Sequence, residues 1–227
     1  MNSVGSNMTG QMWSASRRCR LNPGEDEPVP LECSVRAAEP SDAGRVADAL
    51  EEASGGLMST MLGGRWREVL VKVVLTPGNE MSIETARIAM VGDAPVGVAV
   101  SCAAGTPAVD EALEQLAGRS LPRVAFFSAL ARPVLRFMSR HKSGDWHLTA
   151  LGVDESRRGE GIGSVLLSDT HQRAVAHGAT ALTLDVDTSN DGARRLYERL
   201  CFVETERSGR AWLIGGAQVA RMNLALA

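Results

Sequence analysis

The stretch that decides the fold is residues 153–163, which read VDESRRGEGIG. It joins a predicted strand at 147–153 to a predicted helix at 161–177. Glycines there let the backbone approach a ligand closely, because no Cβ intervenes. The free amides and positive dipole end of a first helical turn favour an anion, and Arg158 adds a planar donor suited to phosphate. The stretch therefore predicts a pyrophosphate-binding loop.

Three kinds of phosphate-binding loop share these features, and two of them fit poorly. A P-loop requires Lys followed by Ser or Thr after its last glycine, whereas Ser164 and Val165 follow here. A Rossmann loop would have its third glycine at Ser164, although Asp185 stands at the distance from the loop that dinucleotide binding requires. Only one such unit occurs, and antiparallel strands are predicted on both sides of it. Dinucleotide binding is therefore the weaker interpretation.

The third kind of loop fits best. Residues 158–163, RGEGIG, resemble the R-x-x-G-x-G/A signature of the GCN5-related N-acetyltransferase (GNAT) superfamily. Residues 190–202 resemble its N-x-x-A-x-x-L-Y-x-x-x-G-F segment, and residues 219–224 resemble its last strand. The sequence departs from the pattern at Cys201, where the family usually has Gly. It also lacks the glutamate expected in the strand before the loop, so the general base stays open.

The resemblance implies an α/β (α+β) fold. Its central sheet is mixed, mostly antiparallel and twisted, is flanked by helices, and has a V-shaped splay between two central parallel strands. Hydrophobic periodicity and capping signals predict elements in a compatible order. The predicted strands are 34–38, 85–90, 96–102, 147–153, 181–186, 202–207 and 218–226, and the predicted helices are 42–54, 57–75, 161–177 and 191–200.

The domain organisation follows from composition along the chain. Residues 1–33 are rich in Ser, Asn, Gly and Pro, which predicts a flexible N-terminal tail. Residues 34–227 are predicted to form one N-acetyltransferase domain. Within it, 105–143 reads as a variable helical insertion interrupted by prolines, serving either as a substrate-pocket wall or as a packing helix pair.

The resemblance also implies a cofactor site. Acetyl-CoA, as co-substrate, would lie between the strand ending at Val153 and the strand 181–186. The backbone of Leu151 and Val153 would pair with the pantetheine arm. Asn190 would orient the cofactor or cap the following helix. The pyrophosphate would be held by the loop beside Arg158, namely by Gly159, Glu160, Gly161, Ile162, Gly163 and Ser164.

Candidate catalytic residues are Tyr197, His147 and Asp145. By resemblance, Tyr197 would protonate or hydrogen-bond the departing sulfur. Strand alternation would place Asp145 and His147 on the same face as Leu151 and Val153, so either could act as the base. Two further acids, Asp185 and Asp187, are backup bases or contacts for the substrate amine.

The predicted reaction is direct transfer of an acetyl group to a primary amine of a small molecule or peptide. A covalent route through Cys102 or Cys201 is the lesser alternative, because neither has an evident base. A protein that binds acyl-CoA without catalysis is the alternative from another class, since fold alone does not imply function.

Composition narrows the partners. The 227-residue chain is 44% hydrophobic and carries a net charge of −3, which offers no global field for nucleic acid or anionic membrane. Its four cysteines form no CxxC pair, and no histidine has metal-ligand spacing, so no metal is expected. Neither a secretory signal nor a membrane-spanning run is evident. We therefore expect a cytoplasmic protein, with a homodimer left open.

Overall fold

The computed structural model describes residues 33–210 and 218–226. The predicted tail therefore lies outside the described residues, except for Cys33, which begins the first strand. Within these two ranges, seven strands form one sheet in the order β1-β2-β3-β4-β5-β7-β6. Their bounds are β1 Cys33–Ala37, β2 Ala86–Val91, β3 Ala94–Ala103, β4 Asp145–Val153, β5 Ala181–Asp187, β6 Val203–Arg207 and β7 Val219–Ala225.

The pairing pattern confirms the predicted fold class. Strands β4 and β5 are parallel, whereas every other neighbouring pair in the sheet is antiparallel. Antiparallel strands on both sides of the parallel pair exclude the doubly wound sheet of a dinucleotide-binding fold.

Among the residues described, seven α-helices cover the two faces of this sheet. Helices α1 to α5 pack on one face around a core that includes Val46, Leu62, Val73 and Val100. Helices α6 and α7 pack on the other face around Leu166, Leu182 and Met222. The helix bounds are α1 Ala43–Ala53, α2 Leu57–Leu62, α3 Trp66–Leu75, α4 Asp110–Ala117, α5 Leu121–Met138, α6 Ile162–Ala176 and α7 Asp191–Arg199.

Two helix predictions need correction. The helix predicted at 57–75 is divided into α2 and α3, because Gly63 adopts a positive φ of 68° that ends the first turns. Of the prolines expected to interrupt the helical stretch 105–143, Pro122 and Pro133 do not interrupt it. Pro122 lies in the first turn of α5, where no amide is needed, and Pro133 lies inside the continuous helix.

The parallel strands β4 and β5 separate along their length. They pair only from Asp145 with Ala181 to Leu148 with Leu184. Beyond those residues, 149–153 of β4 and 185–187 of β5 are not hydrogen-bonded to each other. This is the predicted V-shaped opening, and its closed end lies at Leu148 and Leu184.

A β-bulge lies at the closed end of the opening. Ala150 pairs with Val100 and Leu148 pairs with Ser101, so Thr149 is an extra residue in β4. Because side chains alternate along a strand, one extra residue reverses which face the later residues occupy.

The bulge overturns one sequence-based prediction. Leu151 and Val153 pack towards α6, on the face that also holds Leu148. Asp145 and His147 alternate with Leu148 and therefore lie on the opposite face, towards α5. The prediction that Asp145 and His147 line the same cleft as Leu151 and Val153 is wrong, because strict alternation fails at Thr149.

Candidate active site: a glycine loop beside a splayed strand pair

The glycine loop leads into helix α6 without a side-chain cap. Gly161 is the N-cap residue, has a φ of 78°, and makes no capping hydrogen bond through a side chain. The first amides of α6, including those of Ile162 and Gly163, consequently have no acceptor within the helix. Gly159 has a φ of 84°, and a Cβ built there would meet no atom within 4 Å. The loop thus presents amide donors beside open space, which fits a pyrophosphate.

Gly163 has a packing role as well. A Cβ at this position would lie 3.2 Å from Leu196 Cδ2 and 3.9 Å from Val153 Cγ2. The absence of a side chain therefore lets α7 approach the start of α6. The next residue, Ser164, is buried in the first turn of that helix.

Charged side chains hold the loop against its surroundings. The guanidinium of Arg158 donates to Glu52 of α1, and its Nε lies 3.3 Å from the carbonyl oxygen of Val153. Glu160 pairs with Arg157 at 3.2 Å. Arg158 lies beside the loop, but its guanidinium is already paired with the carboxylate of Glu52.

The peptide groups of Leu151 and Val153 face the opening. The amide of Asp154 donates to Val96 O at 2.9 Å, which fixes the side of β4 that bonds to β3. The N–H and C=O groups of one residue point to the same side of a strand, and those of the next residue point to the opposite side. Those of Leu151 and Val153 therefore point away from β3. This donor and acceptor set fits the extended amide chain of pantetheine.

Asn190 acts as a helix cap. Its Oδ1 accepts a hydrogen bond from the amide of Ala193 at 3.0 Å, at the start of α7. One of the two predicted roles, capping, is therefore present. Contact with a cofactor stays a prediction.

Tyr197 lies on α7 in the core beside α6. It is 7% exposed, and its ring centroid is 5.7 Å from that of Phe202. Burial raises the pKa of its phenol to about 12. The phenol is therefore protonated across the neutral range and is a hydrogen-bond donor rather than a strong acid.

His147 is enclosed beneath α5. Its Nδ1 lies 3.0 Å from Thr183 Oγ1, and its ring centroid lies 4.1 Å from that of His141. Burial, followed by the positive charges of His141 and Arg221, lowers the pKa of His147 well below its usual range. The imidazole is therefore neutral, but it lies away from the opening.

Asp145 is also distant from the opening. It precedes Thr149 by four residues, which is about 13 Å at roughly 3.3 Å per residue. Together with the change of face at the bulge, this distance separates Asp145 from the position where a thioester would lie. The structure thus brings Asp145 and His147 together, but not with the loop.

Acidic residues of β5 lie nearer the opening. Asp185 accepts from Arg221 at 2.9 and 2.8 Å, so it is paired. Burial raises the pKa of Asp185, while the Arg221 contacts oppose that change. Asp187 is partly exposed at the end of β5, where it accepts hydrogen bonds from the Ser189 amide and hydroxyl at 2.7 and 2.6 Å.

Two residues near these groups were missed from the sequence. The Thr149 hydroxyl is buried at the bulge without a hydrogen-bond partner among the described residues, and so is Nδ1 of His141. Neither belongs to a recognisable motif, and a bulge leaves no clear mark in the residue pattern. The one sequence signal for Thr149 is that it is a polar residue within a strand predicted to be buried.

Three further properties of residues 33–210 and 218–226 concern metal binding, cysteine reactivity and membrane-spanning helices. No group of three or more His, Cys, Asp or Glu side chains there could hold a metal ion. Burial raises the pKa of Cys102 to about 11, which disfavours it as a nucleophile. None of the helices described is both long and apolar enough to cross a membrane.

The loop, the opening and the sheet define a class of protein. Residues 124–202 match the model of the acetyltransferase (GNAT) family. The match includes the glycine loop, Asn190 and Tyr197, and it confirms the resemblance found in the sequence. It supports acetyl transfer as the general class of activity. Among curated protein sequences, none matches this chain significantly.

Solved structures share the fold over most of the chain. An acetyltransferase is 24% identical with a TM-score of 0.58, over 86% of this chain and all of that one. An N-acetyltransferase from Staphylococcus aureus Mu50 is 15% identical with a TM-score of 0.64, over 84% of this chain and all of the other. An agmatine N-acetyltransferase is 19% identical with a TM-score of 0.54, over 86% and 100% of the two chains.

Proposed function

We propose that this protein is an acetyl-CoA-dependent N-acetyltransferase that acts on a primary amine. The observation that carries the proposal is the uncapped start of α6 beside the opening between β4 and β5. A loop of amide donors next to strand residues that do not pair with the neighbouring strand suits an anionic diphosphate joined to an extended amide chain. The match of residues 124–202 to an acetyltransferase family supports the same conclusion.

In this proposal the residues of the loop and of β4 hold the co-substrate. The amides from Gly159 to Ser164 bind the diphosphate, and Arg158 exchanges Glu52 for phosphate oxygen. The peptide groups of Leu151 and Val153 hold the pantetheine arm in an extended form. Acetyl-CoA supplies an activated acyl carbon at the closed end of the opening.

The remaining groups act on the acceptor and on the leaving sulfur. Asp187 attracts the ammonium form of the acceptor and receives its proton directly or through water. The free amine attacks the thioester carbon, and the C–S bond breaks as the tetrahedral intermediate collapses. Tyr197 donates a hydrogen bond to the departing sulfur, in keeping with its protonated state. We do not assign the base to His147 or Asp145, because both lie beyond the closed end.

Calorimetric titration with acetyl-CoA tests the site. Gly159→Glu places a carboxylate where the diphosphate would bind, so we expect binding to fall by at least about tenfold. Gly105→Glu is the matched control, because Gly105 also has a positive φ and open space around its Cβ position. Equal affinities of the two variants would contradict the proposed site.

Turnover separates an enzyme from a binding protein. Release of free CoA with a panel of primary amines is expected for the intact protein and should be lost in Gly159→Glu. Acetyl-CoA binding without CoA release for any amine would instead support a non-catalytic acyl-CoA-binding protein on this fold.

A further inference from the structure

A second pocket lies on the α5 face of the sheet, beyond the closed end of the opening. It has a volume of about 180 Å³. The segment that links α5 to β4 covers it, and β5, β6 and β7 form its floor. Its lining includes Arg140, Lys142, Asp145, Glu206 and Asn223. The proposed transfer reaction so far gives this pocket no role.

Asp145 is the feature that indicates a ligand. Its side chain lines the pocket and is only 8% exposed. Within the described part of the chain, its carboxylate has neither a hydrogen bond nor an ion pair. A carboxylate in a mostly buried residue ordinarily has a charged or hydrogen-bonding partner in a folded protein. A cationic group bound in the pocket would provide the missing partner.

Unpaired polar atoms occur beside this carboxylate. Asn223 Oδ1 is a buried acceptor without a donor among the residues described, and Nδ1 of His141 is buried in the same way. The Arg221 guanidinium cannot serve them, because Asp185 and the carbonyl oxygens at the end of α5 occupy it. The pocket therefore offers several acceptors for the N–H groups of an ammonium ion.

The same pocket carries positive charge. Arg140 and Lys142 are exposed at its rim, and neither pairs with a carboxylate of the described residues. They can bind a carboxylate beside the ammonium, since both cations recognise such anions. Glu206 adds a second acid at the rim, so a diamine is the competing kind of ligand.

The pocket and the closed end of the opening lie along the same strand, β4. Asp145 lies about 13 Å along β4 from the bulge, at roughly 3.3 Å per residue. A side chain carboxylate and an ion-pair contact take up part of that length. An acceptor held at Asp145 would span the remaining length, past the buried His147, to present an amine at the closed end.

We propose that this pocket binds the backbone end of a basic α-amino acid, whose side-chain amine extends towards the opening and is acetylated there. Asp145 and Asn223 hold the α-ammonium group, and Arg140 and Lys142 hold the α-carboxylate. The acceptor class is thus a free amino acid of the lysine or ornithine kind. This inference rests on the proposed acetyl transfer.

Matched acceptors test it. Lysine and cadaverine differ only in the carboxylate, and so do ornithine and putrescine. We expect kcat/KM for each amino acid to exceed that for its decarboxylated partner by at least about tenfold. Diamines that react equally well or better would overturn the inference while leaving acetyl transfer intact.

Two variants locate the effect. Arg140→Gln combined with Lys142→Gln should lower the ratio of kcat/KM for lysine to that for cadaverine by at least about tenfold. Asp145→Asn should raise KM for lysine by at least about tenfold without changing acetyl-CoA affinity. Thermal unfolding checks that Asp145→Asn is folded. An unchanged KM in a folded variant would overturn the assignment.

Failure of the proposed function is recognised separately. If no amine releases CoA, calorimetry with lysine and cadaverine still examines the pocket directly. Lysine binding that is lost in Asp145→Asn supports the pocket, with a role other than acceptor recognition. Absence of lysine binding to the CoA-loaded protein overturns it.

Discussion

At the scale of single residues, the ion pair between Arg158 and Glu52 controls how ready the loop is for an anion. Glu52 lies on α1 and Arg158 beside the glycine loop, and both side chains are more than half exposed. An exposed pair of this kind contributes little stability. The pair instead affects anion binding, because a phosphate must displace Glu52 before it can contact the Arg158 guanidinium.

The exchange gives a first prediction. Glu52→Gln leaves Arg158 without a charged competitor, so acetyl-CoA should bind several-fold more tightly. Calorimetry at low and moderate salt measures the change, which should shrink as salt screens the charges. Asp48→Asn is the matched control, because Asp48 lies on the same helix but pairs with Arg67. A similar gain in both variants would show a general charge effect and not release of Arg158.

At the scale of elements, Arg221 joins three parts of the fold. From β7 it donates to Asp185 of β5 and to the carbonyl oxygens of Phe137 and Met138 at the end of α5. These carbonyls form the negative end of the helix dipole, which a guanidinium stabilises. One side chain thus fixes α5 over the sheet and shapes the wall of the pocket.

Removal of this contact should be costly. Arg221→Met leaves Asp185 buried without its partner, so we expect a loss of about 3–5 kcal/mol in the free energy of unfolding. Urea denaturation measures it. Combining Arg221→Met with Asp185→Leu should recover much of the loss, since the unpaired charge is gone. No recovery would indicate that the helix contacts, and not the ion pair, carry the stability.

The elements also show what the sequence can and cannot predict. The glycine loop, the strand before it and α7 are set by local spacing, so they were predicted near their observed bounds. The two faces of β4 were not, because strict alternation assumes one residue per pairing step and Thr149 breaks that rule. The pocket under α5 joins residues far apart in the chain, and no local pattern specifies such a meeting.

At the scale of the whole molecule, one buried and one half-buried histidine, His147 and His141, make folding depend on pH. The pKa of His147 is lowered well below its usual range and that of His141 is lowered, chiefly by burial in both cases. A histidine with a depressed pKa in the folded state binds its proton more readily when unfolded. Its contribution to stability is therefore present above the unfolded value of about 6.5 and is lost as pH falls below it.

This dependence can be assigned to one residue. Between pH 7 and pH 5 the free energy of unfolding should fall, and the fall should be smaller in His147→Gln. Urea denaturation at several pH values measures both curves. The comparison with the variant is needed because Asp185, whose pKa is raised, contributes in the opposite direction at acid pH. Parallel curves for the two proteins would contradict the assignment to His147.

The extra residue at Thr149 lets β4 lose one residue without turning over. Leu148 keeps its place under α6, and Leu151 and Val153 keep theirs, only because one residue too many stands between them. Deleting Thr149 would remove the extra residue and restore strict alternation, in which Leu148 and Leu151 stand two positions apart and still share the α6 face. The two faces of β4 should therefore survive the loss of Thr149, whereas a deletion in a strand without a bulge would exchange its faces.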